Sequence, residues 1–288
     1  MQKYTIRDFE REFPNDDVCL EWLKNHLYPN GIFCKDCQRV TKHHRISSRR
    51  SYSCDHCGNH VHPTAGTIYR KSSTPLRLWF YAIYLMASTR CGIAAKQLQR
   101  ELGVTYKTAW RMFRQIRAML AEDRDPFTGE LEVDETYVGG KRSGGKRGRG
   151  APGKTIAAGV IQRDGAMEAT VVPNIRKVTM EPVIEASVEK GATVYADELK
   201  SYGGLTAKGY AHEAVNHSAG EYVRGSAHTN TVEGFWSVLK GGLRGVYRSV
   251  SQKYLQSYIN EYAFRYGRRK DSAPMFMTFL RRSRVLYG

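Results

Sequence analysis

The sequence predicts an α/β protein in three parts: a small cysteine-bearing module, a helical domain and a mixed-sheet core. Three observations carry this. Two Cys-x-x-Cys pairs, Cys34/Cys37 and Cys54/Cys57, sit in a short polar stretch. From Pro75 to about Leu120 the apolar residues recur at helical spacing, as in LRLWFYAIYLMAS. After the turn-rich DRDPFTG at 123–129 the period shortens to that of strands, beginning with LEVDETYV.

Composition sets the bounds. A chain of 288 residues has room for one large core and one or two small modules. With 41% hydrophobic and 25% charged residues it has the make-up of a folded protein, which excludes a disordered one. A net charge of +17 points to a polyanionic partner, because neutralising phosphates drives sequence-independent binding. No apolar run approaches the roughly 18 residues of a membrane span, and MQKYTIRDFE lacks the apolar core of a signal peptide. The expected setting is the cytoplasm, associated with the nucleoid, with no membrane partner.

Residues 1–29 read as a helical lead-in, with Phe9, Phe13, Leu20, Leu23 and Leu27 at near-helical spacing. Residues 30–63 read as a zinc ribbon. The spacing Cys34-x2-Cys37-x16-Cys54-x2-Cys57 brings four thiolates together, the soft tetrahedral set that Zn²⁺ takes at about 2.3 Å. So few apolar residues lie here that the metal is expected to supply much of the folding energy. With four cysteines filling the shell, His43, His44, His56, His60 and His62 are expected on the surface or against phosphate. Arg45, Arg49, Arg50 and Tyr52 of RISSRRSYS are further candidate phosphate contacts. Cys19 and Cys91 sit in helix-like contexts and are expected as core thiols in a reducing compartment.

Residues 75–122 carry a helix-turn-helix pattern. Ala94 and Ala95 are small where two helices would cross, Gly103 permits the turn and Thr105 caps the next helix. That helix would present Tyr106, Lys107, Thr108 and Arg111 to a major groove, with Trp110, Met112 and Phe113 on its core side. Plain bundle packing is the alternative.

Residues 130–270 read as three strands, helix, strand, helix or loop, strand, helix, which is the element order of the ribonuclease H-like fold. Its strands are LEVDETYV, TIAAGVIQ, MEATVVPN, ATVYAD and YAHEAVN, with an Asp164-Gly165 turn between the second and third. Asp134 lies on the first strand, on one face with Glu132 and Thr136, and Asp197 closes the fourth. Glu233 follows after 35 residues in the helical TVEGFWSVLK, with Lys240 two turns along the same face and Asn230 one turn before. Convergent carboxylates of this kind suit a pair of hard cations, Mg²⁺ or Mn²⁺, that work on phosphodiesters. Glu135 and Glu198 adjoin the aspartates and are expected to support them or the fold.

GRGAPGKT, Gly148–Thr155, satisfies the P-loop pattern, but a strand rather than a helix follows it, so nucleotide hydrolysis is disfavoured. Residues 139–154 hold seven glycines and six basic residues without an acid, which suggests a DNA-contacting loop with Lys146, Arg147 and Arg149. Tyr247, Tyr254, Tyr258, Tyr262, Phe264 and Tyr266 are expected in the core, Arg268 and Arg269 on phosphate, and residues 271–288 as a basic tail.

Taken together, Asp134, Asp197 and Glu233, the run HTNTVEGFWSVLK, the zinc ribbon and the phrase PTAGTIYRKSSTPLRLWF resemble bacterial insertion-sequence DDE transposases. More narrowly, the chain resembles the subgroup with an N-terminal zinc ribbon and helix-turn-helix, the ISXO2-like transposase family, from about residue 15 to 270. The resemblance implies that Asp134, Asp197 and Glu233 ligate two Mg²⁺ or Mn²⁺ and that Lys240 positions DNA. Some relatives use asparagine as the third motif residue, which keeps Asn230 in consideration. The partners implied are double-stranded DNA, as element ends and as target, and further copies of the chain in an oligomer on DNA. A DNA-binding regulator with an inactive core is the alternative, and a P-loop ATPase a remote one.

Overall fold

A capping box opens the first helix: the Thr5 side chain accepts from the Asp8 N–H while Asp8 reaches back to the Thr5 backbone. The computed structural model describes residues 4–122, 124–139, 154–163, 165–197, 199–215 and 228–284. The chain divides into two units, Met1–Met119 with Asp271–Gly288, and Leu120–Lys270.

In the first unit α1 (Ile6–Glu12) and α2 (Asp16–Leu27) bury Phe9, Phe13, Leu20 and Leu23. The antiparallel pair β1 (Ile32–Cys34) and β2 (Arg39–Thr41) is followed by the three-stranded β3 (His43–Ile46), β4 (Ser51–Cys54) and β5 (His60–Val61). Helix α3 (Leu76–Ser88) is the apolar LRLWFYAIYLMAS, and Trp79, Phe80 and Ile83 on it are fully buried. Its first N–H groups have no local cap; Asp16 of α2 accepts from Leu76 and Arg77 at 2.9 and 2.8 Å. Helices α4 (Ala95–Leu102) and α5 (Tyr106–Ala118) are joined through Gly103, whose φ of 63° is a left-handed C-cap, and Thr105 caps α5 by accepting from the Thr108 N–H.

Several sequence expectations change here. Arg45 pairs with Asp17 at 2.8 Å, Arg50 with Asp16 at 3.3 Å and with the carbonyls of Ser72 and Thr74, and the Tyr52 hydroxyl donates to Glu21 at 2.7 Å. These groups fasten the ribbon strands to α2 rather than facing outward. Cys91 is exposed, not a core thiol, because α3 stops at Ser88, where the Thr89 hydroxyl bonds back to Leu85 and Met86 carbonyls. The segment expected as a basic tail holds a final helix, Met275–Leu280, whose Phe276, Phe279 and Leu280 are buried within this unit. Its MFMTFL run outweighs the flanking basic residues.

The second unit is built on one mixed sheet. Strands β6 (Glu130–Val138), β7 (Thr155–Gln162) and β8 (Met167–Val172) form an antiparallel meander; after α6 (Lys177–Ser187) come β9 (Thr193–Asp197) and β10 (Ala211–Val215). Strand order is β10-β9-β6-β7-β8, with β9 parallel to β6 and β10 parallel to β9. Two short 3₁₀ turns, Lys200–Tyr202 and Thr206–Lys208, link β9 to β10. Helix α7 (Asn230–Gly242) runs into a π-helical turn, Leu243–Tyr247, and α8 (Gln252–Gly267) follows. One sheet face packs on α6 through Val133, Ala158, Val160, Val194 and Ala196 with Met180 and Ile184. Side chains alternate across a strand, so Glu132, Asp134 and Gly159 fall on the opposite face, where α7 packs. Gly159, cross-strand partner of Asp134, is needed there: a Cβ on it would lie 2.6 Å from the Trp236 ring. Tyr258, Tyr262 and Phe264 of α8 are buried, in line with a core role, whereas Tyr247, Tyr254 and Tyr266 are only half-buried.

Candidate metal centres and nucleic-acid interface

Cys34, Cys37, Cys54 and Cys57 bring their sulfurs within 4.8 Å of one another. Each Cys-x-x-Cys turn contributes one sulfur to each close pair: Cys34 and Cys57 are 3.4 Å apart, Cys37 and Cys54 3.9 Å. Four sulfurs bound tetrahedrally at 2.3 Å would lie roughly 3.8 Å apart, so the set fits Zn²⁺. The Thr41 hydroxyl, 3.2 Å from Cys54 Sγ, and backbone N–H groups of the second turn hold the Cys54 thiol down at about 5. Hydrogen bonding to Cys57 and its other sulfur neighbours raises Cys37 to about 12, so the cluster shares its protons unevenly.

The second cluster is made of oxygen. The β6–β9 ladder ends at Glu132–Tyr195, and beyond it the two parallel strands are no longer paired. Asp134 and Asp197 point into this parting, and Glu135 reaches it from the other face, so that carboxylate oxygens of all three lie within 4.8 Å. Asp197 is steadied by the Leu199 N–H at 3.0 Å and Glu135 by the Tyr202 hydroxyl at 3.0 Å. Across from them α7 lines the same cleft, of about 660 Å³, with Glu233, Trp236, Ser237 and Lys240. The Thr229 hydroxyl donates to Glu233 Oε1 at 2.9 Å.

Burial, then the charges of Glu135 and Asp197 and more weakly Glu233, push Asp134 up to about 7. Burial lowers Lys240, the neighbouring Arg244 and Lys154 charges add to this, and Asp134 opposes it. The cleft therefore joins crowded carboxylates to a cationic wall of Lys154, Lys240 and Arg244.

Comparison with known proteins agrees with this arrangement. Residues 126–267 match the ISXO2-like transposase domain, and residues 14–60 match the transposase zinc-ribbon domain. This chain carries an ISXO2-like transposase domain behind a transposase zinc ribbon. It is 28% identical over 252 residues to a protein of transposable element ISH50 from Halobacterium salinarum, covering 80% of this chain and 84% of that one. It is also 31% identical over 70 residues to a transposase-like protein of Haemophilus influenzae, covering 24% of this chain and 56% of that one. The family implies DNA as a partner, and no helix among the described residues is long and apolar enough to cross a membrane.

Within this transposase fold the sequence-derived residues are distributed unevenly. Asp134, Asp197, Glu233 and Lys240 share one cleft, whereas Asn230 is exposed at the first position of α7 and is not among the residues lining it. Glu135, expected beside Asp134 as a support for the aspartates or the fold, joins the cluster because the strands part beside it. Lys154 and Arg244 were missed as site residues; the signals were a basic residue just before a strand and one four positions beyond Lys240. Lys107 is exposed on α5, and Arg111 lies over the Trp79 ring with its guanidinium near the Arg70 carbonyl. Arg268 is clamped by Glu122 (2.8 Å for one of two contacts) and stacks on Phe264, while Arg269 bonds the Tyr266 carbonyl at 2.7 Å. These contacts hold both guanidinium groups against the protein's own acceptors. Lys146, Arg147, Arg149 and Glu198 lie outside the described residues.

Proposed function

We propose that this protein binds the ends of an insertion sequence and carries out metal-dependent phosphodiester hydrolysis and strand transfer. The observation that carries this reading is the meeting of Asp134 and Asp197 at the parting of β6 and β9, with Glu233 and Lys240 facing them from α7. The order and sense of the five strands support a ribonuclease H-like core. An all-oxygen donor set suits Mg²⁺ or Mn²⁺, and burial followed by the neighbouring negative charges raises Asp134, both of which a bound divalent ion would offset. Asp134, Asp197 and Glu233 would hold two such ions, with Glu135 close by. Bound there, such ions would supply activation of a water or a DNA 3′-hydroxyl and stabilisation of the leaving oxygen.

The chain's own groups do the positioning. Lys240, Arg244 and Lys154 offer charge-assisted hydrogen bonds to phosphate beside the carboxylates. The zinc ribbon and the α4–α5 pair, the latter as a helix-turn-helix presenting Lys107, supply contacts to the element ends. Processing two ends together calls for more than one copy on DNA. A P-loop role for Lys154 is not supported, since Lys154 and Thr155 run directly into β7 and offer no helix N-terminus to a nucleotide phosphate.

Asp197→Ala tests the reading. Mg²⁺-dependent nicking of DNA carrying the element's ends is expected to fall on the order of a thousandfold, with binding to the same DNA retained. Equal cutting by both forms would remove the cleft from the chemistry, and no cutting by the natural chain would favour a DNA-binding regulator.

A further inference from the structure

We infer that Glu132 is a positioning residue: by gripping the first turn of α7 it fixes Glu233 relative to Asp134 and so sets the metal affinity of the cleft. The inference rests on the reading of that cleft as a divalent-metal site.

Glu132 is fully buried, two residues before Asp134 on the same face of β6. Its Oε2 accepts from the Thr231 N–H at 2.8 Å and the Val232 N–H at 3.1 Å, and its Oε1 accepts from the Thr231 hydroxyl at 2.8 Å. Arg163 Nε lies 3.2 Å and His228 Nδ1 3.1 Å from Oε1. Arg163 is itself held by Glu130 at 3.0 Å and by the Tyr195 ring at 4.0 Å. A carboxylate is costly to bury unless it is paired and hydrogen-bonded, and here both conditions are met.

The first N–H groups of a helix need acceptors, and the positive end of the helix favours an anion. Thr229, at the N-cap position, offers no side-chain cap and instead donates to Glu233. The cap for α7 comes from the strand that bears Asp134. Val232 immediately precedes Glu233, and Glu132 stands one pleat, roughly 7 Å, from Asp134. The two proposed ligands are thus joined by stiff backbone on either side and one carboxylate between. A local cap would stabilise α7 equally well without tying it to β6.

The test is Mn²⁺ titration of the full chain by calorimetry, comparing the natural protein with Glu132→Gln and Thr231→Val, alongside melting curves, zinc content and amide hydrogen exchange. Glu132→Gln should weaken Mn²⁺ binding roughly 10- to 100-fold, as loss of a group that orients a ligand does. Thr231→Val, which removes one hydrogen bond and is the milder change should Glu132→Gln fail to fold, should weaken it a few-fold. Exchange at the Val232 amide should speed up in both. Unchanged Mn²⁺ affinity in variants whose melting temperature has dropped would overturn the inference and leave Glu132 a stabilising group. Absence of Mn²⁺ binding by the natural chain would overturn the metal reading of the cleft, and this inference with it.

Discussion

The chain builds two prospective metal centres by opposite routes. The cysteine cluster uses ligands from Cys34 to Cys57, close in sequence, soft, and carried on two tight turns. The carboxylate cleft gathers proposed ligands from Asp134 to Glu233, hard, like-charged, and brought together by a sheet and a helix. A short loop closes at small entropic cost but leaves little apolar surface to bury, so the ribbon is expected to lean on a metal to fold. The sheet has its own core, in which Leu131, Val194 and Ile184 are fully buried, and can hold four carboxylates near one another against their repulsion. A closed set of four thiols serves structure, whereas an open cleft of oxygens leaves room for substrate.

The largest effect that would break this contrast is at the cysteines. Cys54→Ser, or zinc removal by a strong chelator, should withdraw on the order of 10 kcal/mol from the ribbon and abolish amide protection across residues 30–63. Protection that survives would mean that the ribbon folds without its metal. A smaller effect is expected from Gly159→Ala, which places a methyl 2.6 Å from the Trp236 ring. Denaturant melts should show a loss of about 1–3 kcal/mol, and no loss would mean that α7 is not pressed against β7 beside Asp134.

The smallest effect sharpens the electrostatic side. In the metal-free protein the Asp134 carboxyl is raised to about 7, so the folded state holds this proton more tightly than the unfolded chain does. Stability from this group is complete below its ordinary value and is lost as pH rises through about 7. Asp134→Asn should therefore raise the metal-free melting temperature at pH 8 by at least about 2–4 °C, roughly 1 kcal/mol. The gain should vanish near pH 3. A gain that is the same at both pH values would show that ionising Asp134 in its buried, acidic surroundings is not its source.

Local features were legible wherever short-range chemistry decides. Pro75 and the apolar run behind it mark α3, Thr105 and Gly103 mark the turn between α4 and α5, and the paired cysteines mark the ribbon. Asp134 and Asp197 were legible because strand ends open onto clefts. Glu135 was legible only as a neighbour expected to support them or the fold, since alternation assigns it to the far face and only the end of the β6–β9 ladder brings it back. The basic residues were the least legible. Arg45, Arg50 and Arg268 read as phosphate contacts, yet Asp17, Asp16 and Glu122 take them up, and those acids are distant in sequence.

The sequence by itself determined which chemistries are available: four soft sulfurs at ribbon spacing, three carboxylates on predicted strands and a helix, and a surplus of positive charge. Only the tertiary structure decided which of these groups meet. Strand parting admits Glu135, a glycine lets the Trp236 ring approach the sheet, and Glu132 of β6 caps α7. The reason is range. Ligand type and helix or strand preference are properties of neighbouring residues, whereas the partner of a charge is set by packing between elements a hundred residues apart.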